Sequence, residues 1–280
     1  HVLGIQLHGK YAHLQVQRGW SSDRDLLGVY NELSHSYDPD RFGLYKLINS
    51  LQEVERDNQL SFALLDEANL SPIEHYWSGF MGAFDDPSSF TTQGDRLSLP
   101  EGLRFIATVN YDRTTEPLSA RFLDRSPVIY LESKNANLLT TNYSDPELDS
   151  LFCHYSFEDL KSLFDKHDNP SFTADEARIF EELIEEHRFL QIKHRKRKAI
   201  LHFTETLRPI LGSEETAMLR AFDYALLIHV LPLISGQGRD YGKAVTGLAD
   251  YLGQQGLSES FDRLRVIIAN SQFDAYSYFT

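Results

Sequence analysis

The sequence predicts an α/β half built on a parallel sheet, followed by an all-α half. Two short apolar runs, residues 60–65 (Leu-Ser-Phe-Ala-Leu-Leu) and 105–109 (Phe-Ile-Ala-Thr-Val), carry the first part of that prediction. Each suits a strand buried on both faces, and each releases polar groups only at its C-terminal end. The second part rests on a change of texture near residue 136, after which only helical spacing recurs. The expected domains are therefore residues 1–135 and 136–280.

Taken in order, residues 2–10 fit the tail of a helix, without a decisive pattern. Residues 12–17 alternate Leu14 and Val16 with polar neighbours, as a strand does. Residues 19–23 (Gly-Trp-Ser-Ser-Asp) read as a turn, and residues 44–56 as a helix bearing Leu44, Leu47, Ile48, Leu51 and Val54. Ser71-Pro72-Ile73-Glu74 combines an N-cap serine, a proline at N1 and a glutamate at N3, a strong helix start. The helix it opens carries Tyr76, Trp77, Phe80 and Met81. Residues 94–100 fit one arm of a hairpin leading into the 105–109 strand, and residues 128–131 fit a further buried strand. In the second half, Ser156 with Asp159 and Thr173 with Glu176 start helices, and 195–211 forms a third. A fourth starts at Ser213-Glu214-Glu215 and ends at Leu231-Pro232. Residues 240–252 and 259–268 complete the set.

Composition narrows the function. With 280 residues, 41% hydrophobic and 24% charged, the chain is an ordinary globular protein of one large or two modest domains. A net charge of −14 argues against a broad nucleic-acid surface, which needs clustered Lys and Arg. Cys153 is the sole cysteine, so an intramolecular disulfide and a Cys-rich zinc site are excluded. No apolar stretch is long enough to span a bilayer, and the best one, residues 225–234, is interrupted by His229 and Pro232. A cytoplasmic protein without a membrane role is expected. His1-Val2 is an unnatural start, which leaves an upstream segment open.

The polar groups at the strand ends suggest chemistry. Asp66-Glu67 after a buried strand can support the water shell of Mg²⁺ and polarise an attacking water; the plainer reading is two solvated acids. Asn110 after the second strand can orient that water or touch a γ-phosphate; alternatively it is a turn residue in Val109-Asn110-Tyr111-Asp112. Arg121 and Arg125, four residues apart on a short helix, share a face. Either could stabilise transferring charge in a neighbouring subunit, Arg125 being favoured, or simply pair with Glu116 or Asp124. The basic run at residues 193–198 reads mostly as a solvated helix face, from which Arg195 could fold onto a phosphate. Trp20 fits a core or turn role. No histidine pair has metal-ligand spacing, Cys153-His154 is most simply structural, and no Gly-x-Ser-x-Gly elbow occurs.

Three of these stretches together, residues 64–70 (Leu-Leu-Asp-Glu-Ala-Asn-Leu), 105–110 and 118–126 (Leu-Ser-Ala-Arg-Phe-Leu-Asp-Arg-Ser), resemble an AAA+ ATPase of the McrB-like branch. Residues 20–28 resemble the segment after that family's second strand, and residues 231–236 its lid. The match covers most of residues 10–280. The resemblance implies an AAA+ type parallel sheet core, incomplete at its N-terminus, and an all-α lid domain. It implies Asp66 and Glu67 as the Walker B pair, Asn110 as sensor 1, Arg121 or Arg125 as arginine finger and Arg195 as sensor 2. Mg²⁺ with ATP (or GTP) would be the cofactor. A homo-oligomeric ring, often hexameric, with nucleotide at subunit interfaces would be the assembly, in several relatives serving restriction or phage defence. One departure matters: no Gly-x-x-x-x-Gly-Lys-[Ser/Thr] occurs, and Gly9-Lys10-Tyr11 lacks the leading glycines and the hydroxyl. In the family that loop and its strand would lie upstream of His1. The expected function is thus the C-terminal part of an NTPase that remodels a protein or nucleic-acid partner. The alternatives are a non-catalytic scaffold of the same fold, or a nucleic-acid binder acting through residues 193–198.

Overall fold

Apolar alternation becomes a small parallel sheet in the first part of the chain. The computed structural model describes residues 10–38, 40–53, 60–83, 99–112, 114–131, 171–212 and 215–279. These fall into two compact units, one holding the described residues up to Ser119 and the other those from Ala120 on. The fold is mixed α/β, and residues 120–131 belong with the helical unit.

In the first unit, strands β1 (Tyr11–Gln15), β4 (Ser61–Asp66) and β5 (Leu103–Ala107) form a three-stranded sheet in the order β1-β4-β5, all parallel. Register places Gln15 opposite Asp66 and Leu65 opposite Ala107, so the three C-terminal ends lie level. In β1 the buried positions are Ala12 and Leu14, as alternation predicts. The first crossover carries a helix α1 (Arg24–Leu27), an antiparallel pair β2 (Val29–Asn31) and β3 (Ser36–Asp38), and helix α2 (Leu44–Glu53). The β2–β3 pair has no counterpart in the sequence reading. The expected helix at 44–56 is observed to Glu53, and the residues after it lie outside the described set, as do residues 2–9 and the proposed hairpin arm up to residue 98.

The second crossover is helix α3 (Ile73–Ala83), which buries Tyr76, Trp77, Phe80 and Met81 as expected. Trp77 and Phe80 stack at 4.3 Å and meet the Phe105 ring of β5 at 4.8 and 5.6 Å. The helix start differs in one respect. The Ser71 hydroxyl, expected to cap α3, donates instead to the Gln17 carbonyl (2.9 Å) and accepts from the Trp20 N–H (3.1 Å). It ties the turn after β1 to the loop after β4, a tertiary demand that the local pattern cannot reveal.

Burial corrects the expectation of strands covered on both faces. β4 alternates fully buried residues with half-buried ones, and β5 is more open still, with Ile106 40% exposed. Among the described residues β5 pairs only with β4 and so forms a sheet edge.

The second unit is a bundle. Short helix α4 (Ala120–Leu123) is followed by α5 (Ala174–Glu186), α6 (His194–Leu211), α7 (Glu215–His229), α8 (Arg239–Gln254) and α9 (Ser258–Ala269). The predicted capping box is present: Glu176 N–H donates to Thr173 Oγ1 at 3.3 Å, and Thr173 N–H to Glu176 Oε2 at 2.8 Å. Arg208 on α6 also pairs with the buried Glu176 carboxylate, so one side chain both caps α5 and holds α6. Asp223 on α7 accepts from the Glu259 and Ser260 N–H groups at 2.8 and 2.9 Å, capping α9 from a neighbouring helix. The core joins Phe180, Leu183, Ile200, Phe222, Leu248 and Leu264.

Two further expectations need correction here. The second half is not helices only, because β6 (Ser235–Gln237) and β7 (Ala275–Ser277) pair antiparallel. Residues 128–131 form no strand among the described residues. Val128 N–H donates to the Ile228 carbonyl at 3.0 Å at the end of α7, while Ile129 is 73% and Leu131 86% exposed. The helix start at Ser156 and Asp159 and the pair Cys153-His154 lie outside the described residues.

Candidate functional site

The level C-terminal ends of β4 and β5 bring together the polar groups that sequence placed there. At such an edge, parallel sheets present side chains to ligands. Asn110 Nδ2 donates to Glu67 Oε1 at 3.1 Å. Thr108 does two things with one hydroxyl: it donates to Asp66 Oδ1 at 2.7 Å and accepts the Glu67 N–H at 2.8 Å. Glu67 itself sits in the left-handed region (φ 53°, ψ 48°), a conformation that costs a non-glycine residue about 1–3 kcal/mol. The Thr108 contact and the bond from Ala68 N–H to the Thr108 carbonyl (2.8 Å) hold it there. That turn separates the directions of the two neighbouring acids.

The loop after β5 is fixed from below. Asn69, 1% exposed, donates from Nδ2 to the carbonyls of Asn110 (2.6 Å) and Glu116 (3.2 Å), and its Oδ1 accepts the Asn110 N–H (3.2 Å). Thr115 Oγ1 donates to the same Asn110 carbonyl at 3.0 Å. Asp112 accepts from the Thr114 N–H and hydroxyl, both at 2.7 Å, closing a turn. Asn110 is thus a partner of Glu67, and the turn that sequence placed over residues 109–112 is formed instead at Asp112–Thr115.

Asp66 is partly exposed, and its carboxyl lies below the ordinary carboxylate range. The Thr108 hydroxyl bond is the main cause; burial opposes it, and His13, whose Nε2 is 3.3 Å from Oδ2, adds to it. The same carboxylate, after burial, helps push the Tyr11 hydroxyl up. The site therefore keeps a charged aspartate beside a glutamate that already accepts a neutral amide donor. Such a set can hold a hydrated cation on one acid and orient a water with the other and the amide.

Thr108, Asn69 and His13 have no role in the sequence reading. Thr108 and Asn69 stand inside the runs that announce the site, and strand alternation puts His13 two residues before the end of β1, next to β4. Position alone could have nominated them; their bonds could not be foreseen.

Residues 148–276 match the model of a domain of unknown function, DUF8727. That span takes in helices α5 to α9 and stops short of Asp66, Glu67 and Asn110. No curated protein matches the chain, and no solved structure does.

The three arginines singled out by sequence all belong to the helical unit. Arg121 lies on α4, exposed; Arg125 lies just past its end and donates from Nη1 to the Arg121 carbonyl at 3.2 Å. Arg195 near the start of α6 pairs with Asp124 at 3.4 Å. The pairing that sequence offered to Arg121 or Arg125 is thus made by Arg195. Lys196, read as one of a solvated run, is instead fully buried.

Proposed function

We propose that the α/β unit carries the hydrolytic centre of a nucleoside-triphosphatase of AAA+ type, in the McrB-like branch, acting on ATP or GTP with Mg²⁺. The observation that carries this reading is the Glu67–Asn110 contact at 3.1 Å across the ends of two adjacent parallel strands, with Asp66 clamped beside it by Thr108. The strand order β1-β4-β5 supports it, since it puts the acid pair at the end of the central described strand and the amide just past the end of its neighbour.

The residues suit the cation. Mg²⁺ is held by one or two carboxylates, keeping waters and substrate phosphates as its other ligands. Asp66, charged and partly exposed, is such a carboxylate. When bound, the ion would neutralise phosphate charge. Glu67 then accepts the proton of the attacking water, Asn110 fixes its direction, and Thr108 keeps both acids in place. Arg121 or Arg125 would act on a neighbouring subunit's nucleotide in a homo-oligomeric ring.

The reading needs a phosphate-binding loop that residues 1–280 do not supply. The edge of β5 that is unpaired among the described residues, next to Asn110, is where a further parallel strand leading to such a loop would add. The second reading is a scaffold of the same fold that binds no nucleotide by itself. Glu67→Gln in the native gene product separates them. Hydrolysis should fall about 10²–10⁴-fold, the usual worth of a general base, with nucleotide binding retained. Unchanged turnover rejects the catalytic assignment, and no nucleotide binding in the native protein leaves the scaffold.

A further inference from the structure

The basic run at residues 193–198 contains one residue that disobeys its pattern. Lys193, His194, Arg195, Arg197 and Lys198 are exposed, while Lys196 is 1% exposed. Its ammonium donates to the carbonyls of Leu123 and of Ser126, the latter at 3.3 Å. These are the carbonyls at the end of α4 and just beyond it. No carboxylate lies within ion-pair distance of Lys196 among the described residues; Asp124, the nearest charge of opposite sign on that segment, is taken by Arg195 at 3.4 Å. The His229 ring of α7 is near enough for the Lys196 charge to add to burial in keeping it neutral. A buried ammonium without a carboxylate is costly, and a solvated alternative would be open to a lysine at a helix start. What the arrangement does achieve is to fasten two consecutive stretches of the arginine-bearing segment to α6.

We propose that Lys196, seconded by Arg195 on Asp124, moors residues 120–126 to α6 and is thereby a positioning residue for Arg121 and Arg125. The mooring stands on these contacts alone; only its consequence for catalysis rests on the function proposed above.

A mooring of this kind has a signature in pH. Burial pushes the Lys196 amine down to about 8, Asp124 partly countering, whereas an opened segment would return it to the ordinary lysine value of 10.5. Opening between those limits takes up a proton, so each pH unit above 8 makes it up to about tenfold rarer. The neutral amine keeps two N–H donors for the two carbonyls. His229, held down to about 4 by burial, is uncharged throughout. Asp124 and Arg195, the other charged pair facing this segment, are held on each other at 3.4 Å.

Trypsin reads the mooring directly, because Arg121 and Arg125 are themselves cleavage sites. The intact protein is digested between pH 8 and 9.5, cleavage after these two arginines is quantified by mass spectrometry, and rates are divided by those of a free peptide of residues 117–129. The normalised rate should fall about tenfold from pH 8.5 to 9.5. Lys196→Met should be cut at least about tenfold faster at pH 8, with a flat profile. A flat wild-type profile overturns the proposal, as does a Lys196→Met protein cut like wild type or sharing its slope. If that variant does not fold, the wild-type series still decides. No nucleotide is involved, so failure here is distinct from failure of the catalytic reading.

Discussion

Replacing Asn69 with alanine should unfasten the loop that presents Asn110. The side chain is buried and makes three hydrogen bonds, two donated to the Asn110 and Glu116 carbonyls and one accepted from the Asn110 N–H. At about 1 kcal/mol for each, the loss is about 3 kcal/mol. The Asn110 carbonyl keeps Thr115, and the backbone bond from Glu116 N–H to the Asn69 carbonyl remains, so the loop is loosened and not abolished. The chain offers a selective probe. Its two tryptophans, Trp20 and Trp77, are both buried in the α/β unit, so fluorescence followed through a urea titration reports that unit alone. The midpoint should drop by an amount equal to about 3 kcal/mol divided by the m-value, with the m-value unchanged. A loss below about 0.5 kcal/mol would mean that Asn69 does not hold the loop, and the account of how Asn110 is positioned would fail.

Two other outcomes follow from the same bonds and burials. Thr108→Val keeps the shape and removes the hydroxyl, so the Asp66 carboxyl should titrate higher, as carbon-detected NMR can measure; an unmoved titration would show that Thr108 does not set its charge. His229, 6% exposed, is kept neutral in the fold down to about pH 4, while the unfolded chain protonates it near 6.5. The unfolded state therefore binds more protons in that window, and the helical unit should lose about 3 kcal/mol as pH falls from 6.5 to 4. Far-UV circular dichroism in urea should show that loss, and His229→Phe should lack it; an equal loss in the variant would assign it to other groups.

Elements with a local signature were legible in the sequence. Alternation found β1, the Thr173–Glu176 pair found the start of α5, the Ser71-Pro72-Glu74 pattern found α3, and helical spacing found α2, α6, α8 and α9. The pairing of Glu67 with Asn110 was legible too, because parallel strands of known polarity must bring their C-terminal ends together. What escaped was decided by distant partners. Ser71 looks like a cap from its neighbours, but Gln17 and Trp20 claim its hydroxyl. Lys196 looks solvated from its neighbours, but two carbonyls 70 or more residues away bury it. Residues 128–131 have strand-like composition, yet composition does not supply a strand to pair with. Thr108 was in plain view, and only the left-handed turn at Glu67 shows why a hydroxyl belongs there.

The central claim, that the ends of β4 and β5 form a metal–nucleotide site, is tested most directly by Mn²⁺ with ATP as a paramagnetic probe of the amide NMR spectrum. The account predicts that broadening begins at Asp66, Glu67, Thr108 and Asn110, even if affinity is low without a phosphate loop, and that Asp66→Asn removes it. Broadening spread over other acidic surface, or unaffected by that substitution, would contradict it.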